Sequence, residues 1–110
     1  MAITIKVLNQ VAPVANTETP LYTCGAANGA VVSTLNICNF SNSVADTFSV
    51  RVNVGGAGDD NKQFLFALAP IPANTTVPYT SGITLADTDV INVLSTNGTC
   101  SFQAFGQENS

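Results

Sequence analysis

The sequence predicts an all-β fold, an antiparallel β-sandwich of jelly-roll character with about eight strands. Three observations lead there. Apolar and polar residues alternate with period two in several stretches, the pattern of a strand with one buried face. No stretch holds an apolar stripe of helical period. Turn-forming residues recur about every 8 to 12 residues, the spacing of short antiparallel strands.

Taken in order, Ile3, Ile5 and Val7 alternate with Thr4 and Lys6, which predicts an N-terminal strand with those three side chains buried on one face. A loop containing Pro13 follows, then a strand over residues 17–23 whose Pro20 suits an edge or a strand start. Residues 25–29 form a turn by their glycines and Asn28. Residues 30–39 read as a long strand, with Val31, Leu35 and Ile37 on one face and Val32, Thr34, Asn36 and Cys38 on the other. Phe48, Val50, Val52 and Val54 alternate with Ser49, Arg51 and Asn53, one face core and the other wet. The glycine-rich residues 55–61 are expected to be a mobile connection. Residues 63–69 are almost wholly apolar, as for a strand covered on both faces, and Pro70-Ile71-Pro72 stops them. Strands follow over residues 75–80, 83–85, 89–95 and 99–105. Asn97-Gly98 between the last two is a strong hairpin signal and predicts that they pair antiparallel.

A chain of 110 residues makes one domain. Residues 1–16 are expected to be an N-terminal strand or arm that contacts neighbours, and residues 17–110 the sandwich. The composition is unusual in its shortage of charge: three Lys and Arg, seven Asp and Glu, and no His, against 13 Thr, 12 Asn and 8 Ser. Without imidazole the commonest general base and metal ligand is missing, which disfavours an enzyme. A net charge of −4 with only Lys6, Arg51 and Lys62 as cations excludes the basic footprint that nucleic-acid binding needs. The N-terminus shows no basic region followed by an apolar run, so neither export by a signal peptide nor a membrane span is expected. Three cysteines without close spacing, Cys24, Cys38 and Cys100, read as reduced packing side chains.

Several groups nonetheless invite chemistry. Asp59 with Asp60, or Asp87 with Asp89, could offer carboxylates to a hard cation, but neither stands in a loop that presents the several oxygens such an ion takes. The bland reading is turn acids, with Asp87 forming an Asx turn. The cysteines lack a neighbouring base to make a thiolate nucleophile. Gly55-Gly56-Ala57-Gly58 lacks the Lys-Ser/Thr pair of a phosphate-binding loop. Phe64, Leu65, Phe66 and Leu68 are either sandwich core or an exposed sticky stripe, core being the ordinary outcome. Pro70-Ile71-Pro72 is a stiff extended segment that suits a turn, a sheet edge or a contact surface. No cofactor is expected.

Several fragments, in order, resemble a family of small virion proteins of tailed bacteriophages. They are Leu21-Tyr22-Thr23 before a glycine turn, Val31-Val32-Ser33 leading to Ile37-Cys38-Asn39, Ile71-Pro72-Ala73-Asn74-Thr75-Thr76, Leu85-Ala86-Asp87-Thr88-Asp89-Val90, and Phe102-Gln103-Ala104-Phe105-Gly106. Order and spacing carry the match. It departs at residues 24–29, where relatives place Val-Pro-Ala-Gly, and in the glycine content of residues 55–61. The resemblance implies a non-enzymatic β-sandwich subunit, a capsid cement or decoration protein bound over junctions of the major capsid protein as a homotrimer, assembled in the host bacterial cytoplasm and found on the virion. A tail, neck or baseplate component is the alternative, and a carbohydrate-binding host-recognition module the second. Low charge and abundant Thr and Asn suit repeated weak contacts. The assembly contacts expected from the sequence are Ile3, Ile5 and Val7 on the N-terminal strand and Pro70, Ile71 and Pro72 at the edge of the sandwich.

Overall fold

In the computed structural model, which describes residues 3–25 and 29–109, the alternating segments become nine strands in two antiparallel sheets. They are β1 (Ile3–Val11), β2 (Thr19–Thr23), β3 (Gly29–Asn39), β4 (Asp46–Asn53), β5 (Phe64–Ile71), β6 (Thr75–Tyr79), β7 (Ile83–Leu85), β8 (Val90–Ser95) and β9 (Cys100–Asn109). The turn expected around residues 26–28 lies outside the described residues. The larger sheet has the order β1-β9-β3-β6, with β7 also on β3, and the smaller has β2-β8-β4-β5. Setting β7 aside, the strands pair first with last: β1 with β9, β2 with β8, β3 with β6, β4 with β5. That is one long antiparallel ladder rolled into two sheets, the jelly-roll arrangement.

The rolled ladder corrects one expectation directly. β8 and β9 do not pair, because β8 lies between β2 and β4 while β9 lies between β1 and β3. The Asn97-Gly98 turn therefore crosses from one sheet to the other, and its local chemistry is put to work at a corner. Gly98 has φ of +75° and packs against Ala15, whose backbone nitrogen would stand 3.0 Å from an added Cβ. The Asp46 carboxylate, 3% exposed at the start of β4, holds this corner. It accepts from the Ser95 hydroxyl, from the backbone N–H of Asn97 at 2.9 Å and from the Thr99 hydroxyl at 3.0 Å. Burial alone would raise its pKa, but the donors from Ser95, Asn97, Thr47 and Thr99 outweigh it and lower the pKa to about 2.

The core between the sheets is built on Phe48, Phe102, Leu21, Leu35, Ile37, Ile71 and Ile91, all fully buried. The Phe48 ring lies 5.0 Å from Phe66, tilted to it, and 6.3 Å edge-on from Phe102, ring geometry that adds to area burial. Cys100 shares the inward parity of Phe102 and Ala104, as the sequence suggested, and all three are buried.

Strand parity, however, does not run uninterrupted. The pairing of β9 with β1 shifts register between Val7 and Asn9, and its pairing with β3 shifts between Val32 and Thr34. Each extra residue flips the side chains beyond it to the opposite face. Val31 is therefore outward while Val32, Leu35 and Ile37 are inward, against the expected grouping. Ile3, Ile5 and Val7 are outward too, so β1 is not a strand with these residues buried. Its inward contributions come later, from Leu8, from Val11 and from Asn9, whose amide donates to the Leu21 carbonyl at 2.7 Å. β1 is thus an integral strand rather than an arm laid on a finished sandwich.

β5 also departs from expectation. It is an edge strand, half-buried at Phe64, Leu65 and Phe66 and exposed at Leu68. Two register shifts against β4 separate its residues, and Leu68 takes φ of +48° while its N–H donates to the Ser49 hydroxyl at 3.0 Å. Val54, assigned to the buried face of β4, is exposed in a short 3-10 turn after the strand ends. The glycine loop is tied down rather than loose. Asn53 donates to the Ala57 carbonyl at 2.8 Å, Gln63 to the Gly58 carbonyl at 2.9 Å, and Asp60 and Gln63 form a reciprocal cap on a second 3-10 turn.

Two outcomes test this description. Gly106 sits between the two register shifts, where an added Cβ would lie 1.9 Å from the Val31 carbonyl oxygen. Gly106→Ala is expected to destabilise the fold by about 3 kcal/mol or more in urea unfolding; a loss below about 0.5 kcal/mol would show that the β3 backbone does not press there. Asp46 has a lowered pKa, so its contribution, about 2 kcal/mol, is complete above about pH 4 and fades as pH falls through about 2. Asp46→Asn should flatten the stability profile in that window, and identical slopes for the two proteins would refute the role assigned to the carboxylate.

Candidate functional site

The register shifts on either side of β9 decide what the larger sheet shows to solvent. Outward on β9 are Ser101, Gln103, Phe105, Gln107 and Asn109, the alternates of the buried Cys100, Phe102 and Ala104. Across from them, Ile3 pairs with Asn109, Ile5 with Gln107 and Val7 with Phe105, while on the other side Val31 pairs with Gln107 and Thr34 with Phe105. Residues directly opposite in an antiparallel pair share a face. One end of this outer face therefore gathers the apolar side chains Ile3, Ile5, Val7, Val31 and Phe105, with Gln107 and Asn109 on the central strand between β1 and β3. Ile3 is 60% exposed, Ile5 84% and Val7 49%. The other end is amide and hydroxyl, carried by Gln10, Gln103, Asn36 and Thr76.

No outward-facing strand position described on this sheet carries a charge. Lys6 and Glu108 belong to the inward parity at its rim and pair with each other at 2.7 Å. Glu108 also accepts from the Tyr22 hydroxyl. The Lys6 ammonium and that hydroxyl hold the Glu108 carboxyl below its usual range, and burial followed by the neighbouring Glu108 pushes the Tyr22 phenol up.

Charge collects instead on the smaller sheet and its loops. Arg51 Nε lies 3.3 Å from Glu18 and 3.7 Å from Asp59, Nη1 donates to the Asp60 carbonyl at 2.9 Å, and the guanidinium stacks on Phe64 at 3.9 Å. Of these, Glu18, Arg51 and Phe64 border a groove of about 220 Å³ that Asn16, Ser49 and Leu68 also line. Burial and then the neighbouring Asp59 raise the Glu18 pKa, while Asn53 above all lowers that of Asp59. Through Asp59 and Asp60 the guanidinium ties the loop after β4 to the sheet, and through Glu18 it ties the β1–β2 connection, so the cluster works as a clasp for both.

Sheet edges differ as sharply as faces. β2 carries Pro20 and a register shift, β5 carries Pro70 and two shifts, β6 is five residues long and contains Pro78, and β7 has three residues. Each of these devices protects an edge against added strands. β1 is nine residues long, contains no proline, and is regular from Ile3 to Val7.

The six residues expected at an assembly surface are not brought together. Ile3, Ile5 and Val7 lie on the free edge of the larger sheet, while Pro70 and Pro72 are exposed on and beyond β5, at the edge of the other sheet. Ile71 is 0% exposed and belongs to the core; the inward parity at the end of β5 turns it away from any contact surface. Val31 and Phe105 join Ile3, Ile5 and Val7: Phe105 faces outward by plain alternation with Phe102 and Ala104, whereas Val31 is turned outward by a register shift in β3 that carries no local sequence motif. Asp46 carries one local sequence signal, an acid placed just before an alternating run.

Of the acids considered for a cation, Asp59, Asp60 and Asp89 are engaged within the protein, while Asp87 is exposed. Asp89, not Asp87, organises the loop before β8, accepting from the N–H of Ala86 at 2.9 Å and of Gly55 at 2.8 Å. Asp59 accepts from the Asn53 amide at 3.1 Å and Asp60 caps the turn at Lys62. Among the described residues, no three of Cys, Asp and Glu stand together as a metal-binding group. Cys100, next to Asp46 and fully buried, has its thiol pushed up to about 12 chiefly by that burial, which opposes the thiolate a nucleophile requires. Cys38 is half-buried on the outer face of β3.

Searches against protein-family models and against curated proteins find no match for this chain.

Native-state alkylation at about pH 8 should modify Cys38 first and leave Cys100 intact until the chain is unfolded, as read by peptide mass spectrometry. Modification of Cys100 at the rate of Cys38 would contradict its enclosure.

Proposed function

We propose that this chain is a non-enzymatic structural subunit of a tailed-bacteriophage virion, a cement or decoration protein that associates with copies of itself and with the major capsid protein. The observation that carries the assembly part is the outer face of the larger sheet, uncharged at every described outward strand position, with Ile3, Ile5, Val7, Val31 and Phe105 exposed or half-exposed at one end. An apolar patch of this kind beside polar groups marks an interaction surface, and its neutrality removes the desolvation cost that buried charges impose. The virion setting comes from the sequence resemblance.

The mechanism is non-covalent. A rigid sandwich, cross-braced by Asp46, presents one flat neutral face and one free edge at fixed geometry. Repeated around a symmetric shell, contacts that are individually weak sum to firm attachment. A sugar-binding role has less support at the groove on the smaller sheet, where the lining aromatic, Phe64, is already covered by Arg51.

Quantified copy number in purified virions tests the reading. Stoichiometry comparable to the major capsid protein is expected; a few copies per particle would move the protein to the tail, neck or baseplate, and absence from particles would remove the virion role altogether.

A further inference from the structure

We propose that two copies of this chain join through their β1 edges, antiparallel about a two-fold axis at Ile5, so that the two larger sheets become one continuous sheet. The inference deepens the assembly reading by naming its partner and register, and it does not depend on the virion setting.

The edge itself makes the first argument. Other sheet edges are blunted by proline, by register shifts or by shortness, whereas β1 offers a regular run from Ile3 to Val7. Its outer backbone groups are unpaired with any described strand, and such a row is a template for another strand. Antiparallel pairing about a two-fold axis is isologous, each copy presenting the same strand.

The side-chain pattern then selects both the occupant and the register. With the axis at Ile5, Ile5 faces the partner's Ile5 and Ile3 faces the partner's Val7, giving three aliphatic cross-strand pairs on the outer face. On the inner parity, Lys6 faces the partner's Thr4. Moving the axis to Lys6 would set the two lysines against each other, and moving it to Thr4 would leave Val7 without an aliphatic mate. Charge favours the same register. Thr4 stands beside Glu108 in the pairing of β1 with β9, so the partner's Lys6 opposite Thr4 adds a second cation to the row that already holds the Lys6–Glu108 pair. This geometry departs from the trimer that the sequence resemblance implies.

The test uses the full chain in sedimentation velocity over a wide concentration range. The unaltered protein should sediment as a dimer whose melting temperature rises with protein concentration, and Ile5→Lys, at an exposed site, should sediment as a monomer with unchanged circular dichroism and a melting temperature independent of concentration. In a Cys38→Ser background, Ile5→Cys should oxidise to a covalent dimer, the opposed positions being within disulfide reach, while Ile3→Cys should not. A monomer at every concentration, a trimer, a dimer indifferent to Ile5→Lys, or equal cross-linking from Ile3→Cys each overturns the proposal. Virion copy number, measured separately, bears on the function and not on this pairing.

Discussion

A single buried carboxylate connects the two halves of this sandwich. Asp46 begins β4 in the smaller sheet, yet its partners run from the end of β8 through the crossing turn to the start of β9 in the larger one. In a rolled ladder the last connection must leave one sheet and enter the other, exposing backbone donors where no strand can pair them. One ionised acceptor satisfies several of those donors together, and charge-assisted bonds of this sort are the strong ones. The Thr47 and Thr96 hydroxyls, 2.6 Å apart beside it, extend the same junction. Without it the connection between the sheets would rest on apolar packing and a turn that elsewhere prefers to make a hairpin.

The second organising feature is β9, which contacts β1 on one side and β3 on the other and has both neighbours shifted by one residue near Phe105 and Gly106. The shifts turn a sheet that would bury Ile3, Ile5 and Val7 into one that shows them. Glycine at position 106 is what lets the β3 backbone approach closely enough for its shift to form. Surface chemistry therefore depends on a backbone accommodation several residues away from the side chains it exposes.

Charge is sorted by face. Apart from Asp46, the engaged ionised groups knit the loops of the smaller sheet, as around Arg51, or lock a rim, as Lys6 does with Glu108 and Tyr22. The larger sheet is left with amides, hydroxyls and aliphatic side chains. A surface of this composition has little electrostatic protection against association, and the proposed assembly turns that lack of protection to use.

Strand content was legible in the sequence, because period two is a local property and the chain carries almost no competing helical signal. Phe48, Val50, Leu35, Ile37 and Phe102 are readable as core for the same reason. What the sequence could not decide was parity beyond an irregularity. Val31 falls on the expected face only if β3 runs without an extra residue, and whether it does depends on how closely β9 approaches. Nor could Asn97-Gly98 declare its partner strands: the turn fixes a local reversal, while nesting of the whole ladder decides which sheet each arm joins. Sequence alone thus determined that this is a lightly charged β-sandwich. Tertiary structure decided which face and which edge stayed open, since those follow from contacts between strands far apart in the chain.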